Sequence, residues 1–249
     1  DKIYFGRGLT RLYLHDFKGA IVDFSKAIEI NPSFPEAYYY RGGAKFKLGE
    51  YHDAIDDYTR AITVNNKYAY AYQDRGSANW KVGKIEEAIE DYFAATLYDP
   101  SLAFSFNNIG LIRMEMNDFE GAVTDFTASV KVKPDYYFAF NNRGIAYYKL
   151  EQYEDAVKEY TKAIELNPKY IPAYNNRGNA YFKLKEYRKA IADFDEVLKM
   201  DIEDGEAFLN RGIAREMLRE HKGACRDWQK AANLGIEVAN DYLKTCEKQ

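Results

Sequence analysis

The chain has 249 residues, of which 47% are hydrophobic and 30% charged, a composition typical of a soluble protein with one large domain or two small ones. Its net charge is −4 with acidic and basic residues interspersed, so no basic run can follow a phosphate backbone and no nucleic-acid partner is expected. No stretch approaches the ~20 apolar residues of a membrane span, and two cysteines make neither a disulfide framework nor a zinc-binding set.

The sequence repeats itself every 34 residues, seven times, without an insertion. Position 8 of each repeat is always glycine, position 20 always alanine and position 24 always aromatic. Positions 4, 8 and 11 share one helical face, as do positions 20, 24 and 27, so each repeat is predicted to be a pair of amphipathic helices. In chain order the predicted pairs are residues 1–34, 35–68, 69–102, 103–136, 137–170, 171–204 and 205–238, followed by a capping helix over 239–249.

Glycine and proline mark the ends of these predicted helices. Gly49 and Gly83 lie between the two helices of repeats two and three, where glycine suits a left-handed helix terminus. Proline at position 32 ends the second helix in four repeats, and Pro35 and Pro172 stand at the start of first helices, where a missing N–H costs nothing.

Small residues, aromatic residues and proline recur at the same positions of every 34-residue unit or most of them. In this pattern the sequence resembles the tetratricopeptide repeat family over essentially its whole length. The resemblance implies an all-α fold, a right-handed superhelix of antiparallel helix pairs that forms one solenoid over residues 1–249. In this family the first helices line a concave groove and the second helices form the convex outside. A non-catalytic scaffold that binds a segment of another protein is the function the resemblance implies.

Two positions suggest an internal ladder of ion pairs. Position 7, usually leucine in the family, is arginine in six repeats and Ile109 in repeat four, while position 23 is always acidic. The arginines are Arg7, Arg41, Arg75, Arg143, Arg177 and Arg211, and the acids are Asp23, Asp57, Asp91, Asp125, Glu159, Asp193 and Asp227. Both positions adjoin the packed face, and a guanidinium can donate two hydrogen bonds to one carboxylate. We expect these pairs to join the two helices of a repeat, with ligand binding by the arginines as the alternative.

Other reactive residues give no sign of catalysis. His15, His52 and His221 lie near the turns and are too far apart to form a metal site, so we expect surface positions for them and neither metal nor cofactor. Cys225 and Cys246 occupy positions of small buried residues, so structural thiols are expected, with a disulfide between the last repeat and its cap as the alternative. Because no phosphate-binding loop or nucleophile motif is present, the protein is predicted not to be an enzyme.

Positions 2, 5, 6, 9, 12 and 13 share the other face of each first helix, which lines the groove in the family. The early repeats carry aromatic and mixed residues there, whereas repeats four to six carry a pair of asparagines at positions 5 and 6. Amide side chains can donate to and accept from the backbone of an extended peptide. The candidate peptide-binding residues are Tyr39, Gln73, Trp80, Asn107, Asn108, Asn141, Asn142, Tyr148, Lys149, Asn175, Asn176, Asn179, Phe182, Lys183 and Asn210. The alternative is that the asparagines bond neighbouring repeats and that the aromatic residues are packing.

The predicted function is therefore a protein-interaction scaffold or adaptor that binds an extended peptide in the groove. Self-assembly into a homo-oligomer and recruitment of substrates for a larger enzyme are the alternatives. The family's clamp for chaperone C-termini is absent, because position 5 is never lysine. A cytoplasmic location is favoured, and the start at Asp1 without methionine leaves a trimmed, secreted form open.

Overall fold

Helices make up almost all of the structure. The computed structural model describes residues 1–246, and this part of the chain contains fifteen α-helices and no β-strand. The all-α prediction is therefore confirmed. The chain divides into two compact units, one from Asp1 to Ile112 and one from Arg113 onward.

The helices alternate as first and second members of the 34-residue repeats. The first unit contains α1 (Lys2–Tyr13), α2 (Phe17–Ile30), α3 (Pro35–Lys47), α4 (Tyr51–Val64), α5 (Ala69–Lys81), α6 (Ile85–Tyr98) and most of α7 (Ala103–Glu115). The second contains α8 (Phe119–Val132), α9 (Tyr137–Lys149), α10 (Tyr153–Leu166), α11 (Ile171–Lys183), α12 (Tyr187–Met200), α13 (Gly205–Met217), α14 (His221–Asn233) and α15 (Ala239–Cys246). Consecutive helices are in contact from α1 to α6 and from α8 to α15. The predicted cap begins with α15, and its last residues, 247–249, lie outside the described part.

Six helix pairs close where a glycine of the first helix meets an aromatic ring of the second. In repeat two, a β-carbon added to Gly42 lies 3.0 Å from the ring of Tyr58, which is 1% exposed. The ring therefore fills the space that a larger residue at position 8 needs. The same close approach occurs at Gly8, Gly76, Gly144, Gly178 and Gly212.

A left-handed residue stands at position 15 of every repeat. Gly49 and Gly83 have φ of 82° and 80° there, as the sequence predicts. The other five repeats place a residue with a side chain in the same conformation: His15, Asn117, Glu151, Lys185 and Arg219. The helix pair therefore imposes this turn even without glycine, at a strain of about 1–2 kcal/mol for each such residue.

The ion-pair ladder is confirmed in six repeats. In repeat six, Nε and Nη2 of Arg177 donate to the two carboxylate oxygens of Asp193 at 2.8 and 2.6 Å. Asp193 is buried, so a guanidinium rather than water compensates its charge. The equivalent pairs are Arg7–Asp23, Arg41–Asp57, Arg75–Asp91, Arg143–Glu159 and Arg211–Asp227. These arginines therefore belong to the scaffold.

The ladder also joins five repeats to the ones before them. Nη1 of Arg177 donates to the hydroxyl of Thr161 at 3.0 Å, and its guanidinium lies over the ring of Tyr174 at 5.7 Å. The corresponding bonds to position 25 of the preceding repeat are Arg41–Ser25, Arg75–Thr59, Arg143–Thr127 and Arg211–Asp195. One side chain thus connects three helices.

Repeat four lacks the ladder arginine, because Ile109 takes position 7. Its acid, Asp125, is buried and has an ion pair with Arg113 at 3.1 Å. Burial raises the pKa of Asp125 to about 6, against the opposing charge of Arg113. In repeat one, by contrast, hydrogen bonding to Arg7 lowers the pKa of Asp23. At Asp193 burial still raises the pKa, and hydrogen bonding from Arg177 opposes that rise, so the arginine favours the ionised acid without always outweighing burial.

A disulfide joins Cys225 to Cys246 and fastens α15 to α14. The expectation of two structural thiols is wrong, and the alternative of a bond between the last repeat and its cap is confirmed. The physical reason is proximity: the packing of α15 on α14 brings the two Cα atoms to 6.0 Å, a separation that a disulfide spans. Beside it the ring of Trp228 stacks on Tyr242 with centroids 5.0 Å apart.

The histidines lie close to the turns, as predicted. His15 and His52 are exposed, and Nδ1 of His221 lies 2.8 Å from Oε2 of Glu216. Within residues 1–246, no group of three or more histidine, cysteine or acidic side chains is arranged to hold a metal ion. No described helix combines the length and apolar character needed to cross a membrane.

Candidate functional site

The first helices of successive repeats lie side by side within each unit. In the first unit α3 contacts both α1 and α5, and in the second α11 contacts both α9 and α13. Hydrogen bonds join position 5 of one repeat to position 6 of the next: Tyr39 Oη donates to Asp74 at 2.8 Å, and Asn176 Nδ2 donates to Asn141 Oδ1 at 3.0 Å. We call the surface formed by positions 2, 5, 6, 9, 12 and 13 of these helices the first-helix face. It carries all the candidate binding residues.

The position-5 asparagines are part of the packing between repeats. Asn107 and Asn141 are 4% and 3% exposed, so neither presents its amide to a ligand. Asn175 is half-buried, its Nδ2 donates to Asp204 at 3.2 Å, and its carbonyl oxygen is buried without a donor in the described structure. Asn107 and Asn141 are therefore buried between helices, whereas Asn175 keeps part of its surface exposed.

The position-6 asparagines are more accessible. Asn108, Asn142, Asn176 and Asn210 are all half-buried, and Asn108 hydrogen-bonds Tyr92. An asparagine amide has two N–H groups and a carbonyl acceptor, so the one bond from Asn176 to its neighbour does not exhaust it. Three of these residues stand at the same position of α9, α11 and α13. We call them, Asn142, Asn176 and Asn210, the amide row, and half-buried Asn179 lies on α11 beside it.

Aromatic and basic residues lie nearly two turns further along the same helices. Each position-12 ring packs against the ring that begins the following helix. These pairs are Tyr148 with Tyr153 at 5.2 Å and Phe182 with Tyr187 at 5.3 Å between centroids. The packing alternative therefore holds for one side of each ring, and both rings remain half-buried. Lys149 and Lys183 are exposed at the ends of α9 and α11.

In the first unit the candidate residues are tied to their surroundings. Tyr39 is bonded to Asp74, and Gln73 Oε1 accepts a hydrogen bond from Ser105 at 3.1 Å. Trp80 is half-buried and packs against the hydrophobic cluster of α6 and α7. Tyr39 stands on repeat two and the other two on repeat three, and all three make contacts between helices.

Asp74 is the residue of this face that the sequence-based selection missed. It forms part of the wall of a cavity of about 210 Å³, together with the aromatic rings of Phe46 and Tyr58. Burial raises the pKa of Asp74 above its ordinary value, although hydrogen bonding from Tyr39 opposes the change. The signal was available in the sequence: a single acid stands at position 6, where repeats four to seven carry asparagine.

Three family models match the chain. A model described as TPR repeat matches residues 8–49 and 146–185, one described as Tetratricopeptide repeat matches 35–68 and 171–204, and a second of that description matches 69–102 and 105–136. The comparison with curated proteins gives no match.

Several solved structures share the fold. The C-terminal part of a TPR repeat-containing protein from Cytophaga hutchinsonii has a TM-score of 0.80 at 20% identity, over 95% of this chain and 98% of that chain. YrrB, described as a TPR protein with an unusual peptide-binding site, has a TM-score of 0.67 at 23% identity, over 75% and 97% of the two chains. MamA has a TM-score of 0.61 at 26% identity, over 65% and 95%. The helix pairs are therefore stacked as in tetratricopeptide repeat solenoids.

Proposed function

This chain belongs to the tetratricopeptide repeat family, and we propose that it is an adaptor that binds an extended segment of a partner protein along the first-helix face of its second unit. Membership of this family supports the more general role of a protein-interaction scaffold. YrrB is described as having a peptide-binding site, which favours a peptide as the ligand here.

The observation that carries the proposal is the amide row. Asn142, Asn176 and Asn210 repeat one polar, half-buried position across three contacting helices. Amides pair with either the N–H or the C=O of a peptide backbone, so such a row recognises an extended chain largely irrespective of its sequence. Asparagine is a mediocre helix former, and its recurrence at one helical position indicates a role beyond helix formation.

The spacing of the helices fits an extended ligand. Packed helices lie roughly 8–10 Å apart, and an extended chain advances roughly 3.3 Å per residue. One asparagine of the row therefore meets the peptide about every third residue. The exposed ammonium groups of Lys149 and Lys183, which lie beside the row and further along α9 and α11, favour acidic ligand residues, and the half-buried rings of Tyr148 and Phe182 favour apolar ones.

The proposal contains no catalytic step. The repeated acids on the second helices are engaged by arginine, as Asp193 is by Arg177, and act in packing rather than in proton transfer. We therefore propose that the chain holds its partner without chemistry of its own.

A peptide-display selection on the wild-type chain, with the double variant Asn142→Ala/Asn176→Ala as parallel bait, tests the proposal. Losing two hydrogen bonds of ~0.5–1.5 kcal/mol each predicts roughly 5- to 150-fold weaker binding of the enriched peptides. Asn66→Ala/Asn233→Ala, which alters two exposed asparagines on other surfaces, is the matched control.

A second control separates binding from packing. Asn141→Ala removes the same internal hydrogen bond as Asn176→Ala but changes a side chain that is 3% exposed. If folded Asn141→Ala binds as weakly as folded Asn176→Ala, the asparagines act through the scaffold and the proposal is wrong. The absence of any enriched peptide contradicts it as well.

A further inference from the structure

Asp74, which is half-buried, differs from the fully buried acids of the first unit. Asp23, Asp57 and Asp91 each face a guanidinium at 2.6 Å. Asp74 lies among apolar and phenolic groups, and within residues 1–246 it has no ion pair. Its hydrogen-bond partners are neutral: Oδ2 accepts from Tyr39 at 2.8 Å, and Gln73 also hydrogen-bonds to the carboxylate. Because partial burial without a paired cation disfavours a carboxylate, a cation bound beside Asp74 would be stabilised.

The space for that charge lies beside the carboxylate. The cavity of about 210 Å³ has Gly43, Phe46, Tyr58 and Ser77 around Asp74. Sites for whole small molecules measure roughly 300–1,000 Å³, so this one suits a single side chain. Aromatic walls favour a cation through the negative faces of their rings.

We infer that this cavity receives the ammonium or guanidinium group of a lysine or arginine side chain of a bound peptide, with Asp74 as its counter-ion. Burial, with the nearby carboxylate, raises the pKa of Tyr39 and Tyr58, so both phenols remain neutral; Tyr39 donates to Asp74 and fixes its position, and a phenol oxygen can accept from the bound cation. Lys47 also borders the cavity, and its charge opposes the rise in the pKa of Asp74, but it is exposed and forms no ion pair with Asp74 within the described residues. A cation inside the cavity would therefore be the first to pair directly with this carboxylate.

The peptide part of this inference rests on the proposed function, whereas the cation site does not. The site belongs to the first unit and the amide row to the second, and each is tested with its own variants. A failure of one set of measurements is therefore distinguishable from a failure of the other.

The first experiment titrates the full chain with n-butylammonium, n-propylguanidinium and neutral 1-butanol, followed by amide chemical shifts. We expect saturable changes at Gly43, Phe46 and Ser77 with both cations, at weak affinity on the order of millimolar. Asp74→Asn, which gives repeat three the residue of the later repeats, should weaken cation binding at least 10-fold. Asp56→Asn, an equal charge change at an exposed site of α4, should leave it unchanged.

Several outcomes overturn the inference: no saturation with either cation, equal binding by Asp74→Asn and wild type, or butanol binding as strongly as butylammonium. Nα-acetyl-lysine N-methylamide tests the peptide assignment. If butylammonium binds and the blocked lysine does not, the cavity takes a free cation and not a peptide side chain, and the inference is wrong.

A second variant tests the inference independently if Asp74→Asn fails to fold. Gly43→Leu leaves the carboxylate in place and adds bulk to the wall, where a β-carbon meets nothing nearer than the Tyr58 hydroxyl at 3.9 Å. We expect this change to fill part of the cavity and weaken cation binding at least 10-fold. Unchanged affinity in folded Gly43→Leu shows that the probes bind elsewhere and refutes the assignment.

Discussion

Adjacent glycines in α3 offer a direct test of how the helix pairs close. A β-carbon on Gly42 meets the ring of Tyr58 at 3.0 Å and the backbone oxygen of Ala54 at 3.2 Å, whereas one on Gly43 meets only the Tyr58 hydroxyl, at 3.9 Å. Gly42→Ala and Gly43→Ala are therefore the same chemical change at neighbouring positions of one helix. They differ only in what the new methyl group touches.

The magnitude follows from two opposing terms. Replacing glycine by alanine inside a helix gains about 1 kcal/mol, and this gain is common to both variants. Overpacking of a well-packed site costs about 1–3 kcal/mol and applies to Gly42→Ala alone, because Tyr58 is buried and Ala54 contributes backbone. Gly43→Ala should be more stable than wild type by about 1 kcal/mol, and Gly42→Ala less stable than Gly43→Ala by about 1–3 kcal/mol.

Native-state hydrogen exchange of the α3 and α4 amides is the appropriate assay, because repeat arrays can unfold in parts and a global midpoint mixes them. Urea unfolding followed by circular dichroism gives the overall change. If Gly42→Ala is as stable as Gly43→Ala, the ring of Tyr58 has room to move. The steric explanation of glycine at position 8 then fails.

Three further outcomes are expected. Burial raises the pKa of Asp125 to about 6 in the folded state, so the stabilising contribution of this group is fully present below the unfolded pKa of about 3.9 and is lost as the pH rises through 6. When the pH falls from 7 to 4, the unfolding free energy of wild type should therefore rise by roughly 1–3 kcal/mol relative to that of Asp125→Asn. Parallel pH profiles of the two proteins would contradict this. Cys246→Ser removes a disulfide between residues separated by 21 positions, and the loss of the loop-closure constraint should cost about 3 kcal/mol of stability. The amides of α15 should lose protection from hydrogen exchange, and Trp228 should become more accessible to fluorescence quenchers. Unchanged protection would mean that packing alone holds the cap. Arg177→Met leaves the buried carboxylate of Asp193 without its cation and should lower the unfolding free energy by roughly 3–5 kcal/mol, most of which Arg177→Met/Asp193→Leu should recover. An equal loss of stability for both variants in urea unfolding would show that the unpaired charge is not the cause.

The sequence was sufficient for features that repeat with the chain. Fixed spacing of small and aromatic residues gave the helix pairs, and the pairing of Arg177 with Asp193 followed from two positions on one packed face. The bond from Arg177 to Thr161 was not predicted, because it depends on how one repeat stacks on the one before it. Glu151 was missed as a left-handed residue for a similar reason, since the stacked helices impose a conformation that the side chain itself disfavours.

Within the candidate site, the sequence alone did not separate accessible side chains from those that pack between helices. Asn141 and Asn142 are neighbours of one type, and only the packing shows that the first is buried while the second remains half-exposed. The role inferred for Asp74 depends on its partial burial and on a cavity built from three helices, neither of which a linear pattern records. Recurrence thus identified the face, and solvent exposure separated candidate ligand contacts from scaffold.

Five ladder arginines bond to the preceding repeat at the same position, which makes these junctions chemically alike. Arg143 donates to Thr127 and Arg177 to Thr161, in both cases at 3.0 Å from Nη1 to a threonine hydroxyl. Excision of residues 137–170 would place Arg177 one repeat after Thr127, so that Arg177 could donate to the threonine hydroxyl that now accepts from Arg143. The array can therefore lose or duplicate whole 34-residue modules at this point without stranding a charge, which makes its length a variable that gene rearrangement can change in single steps.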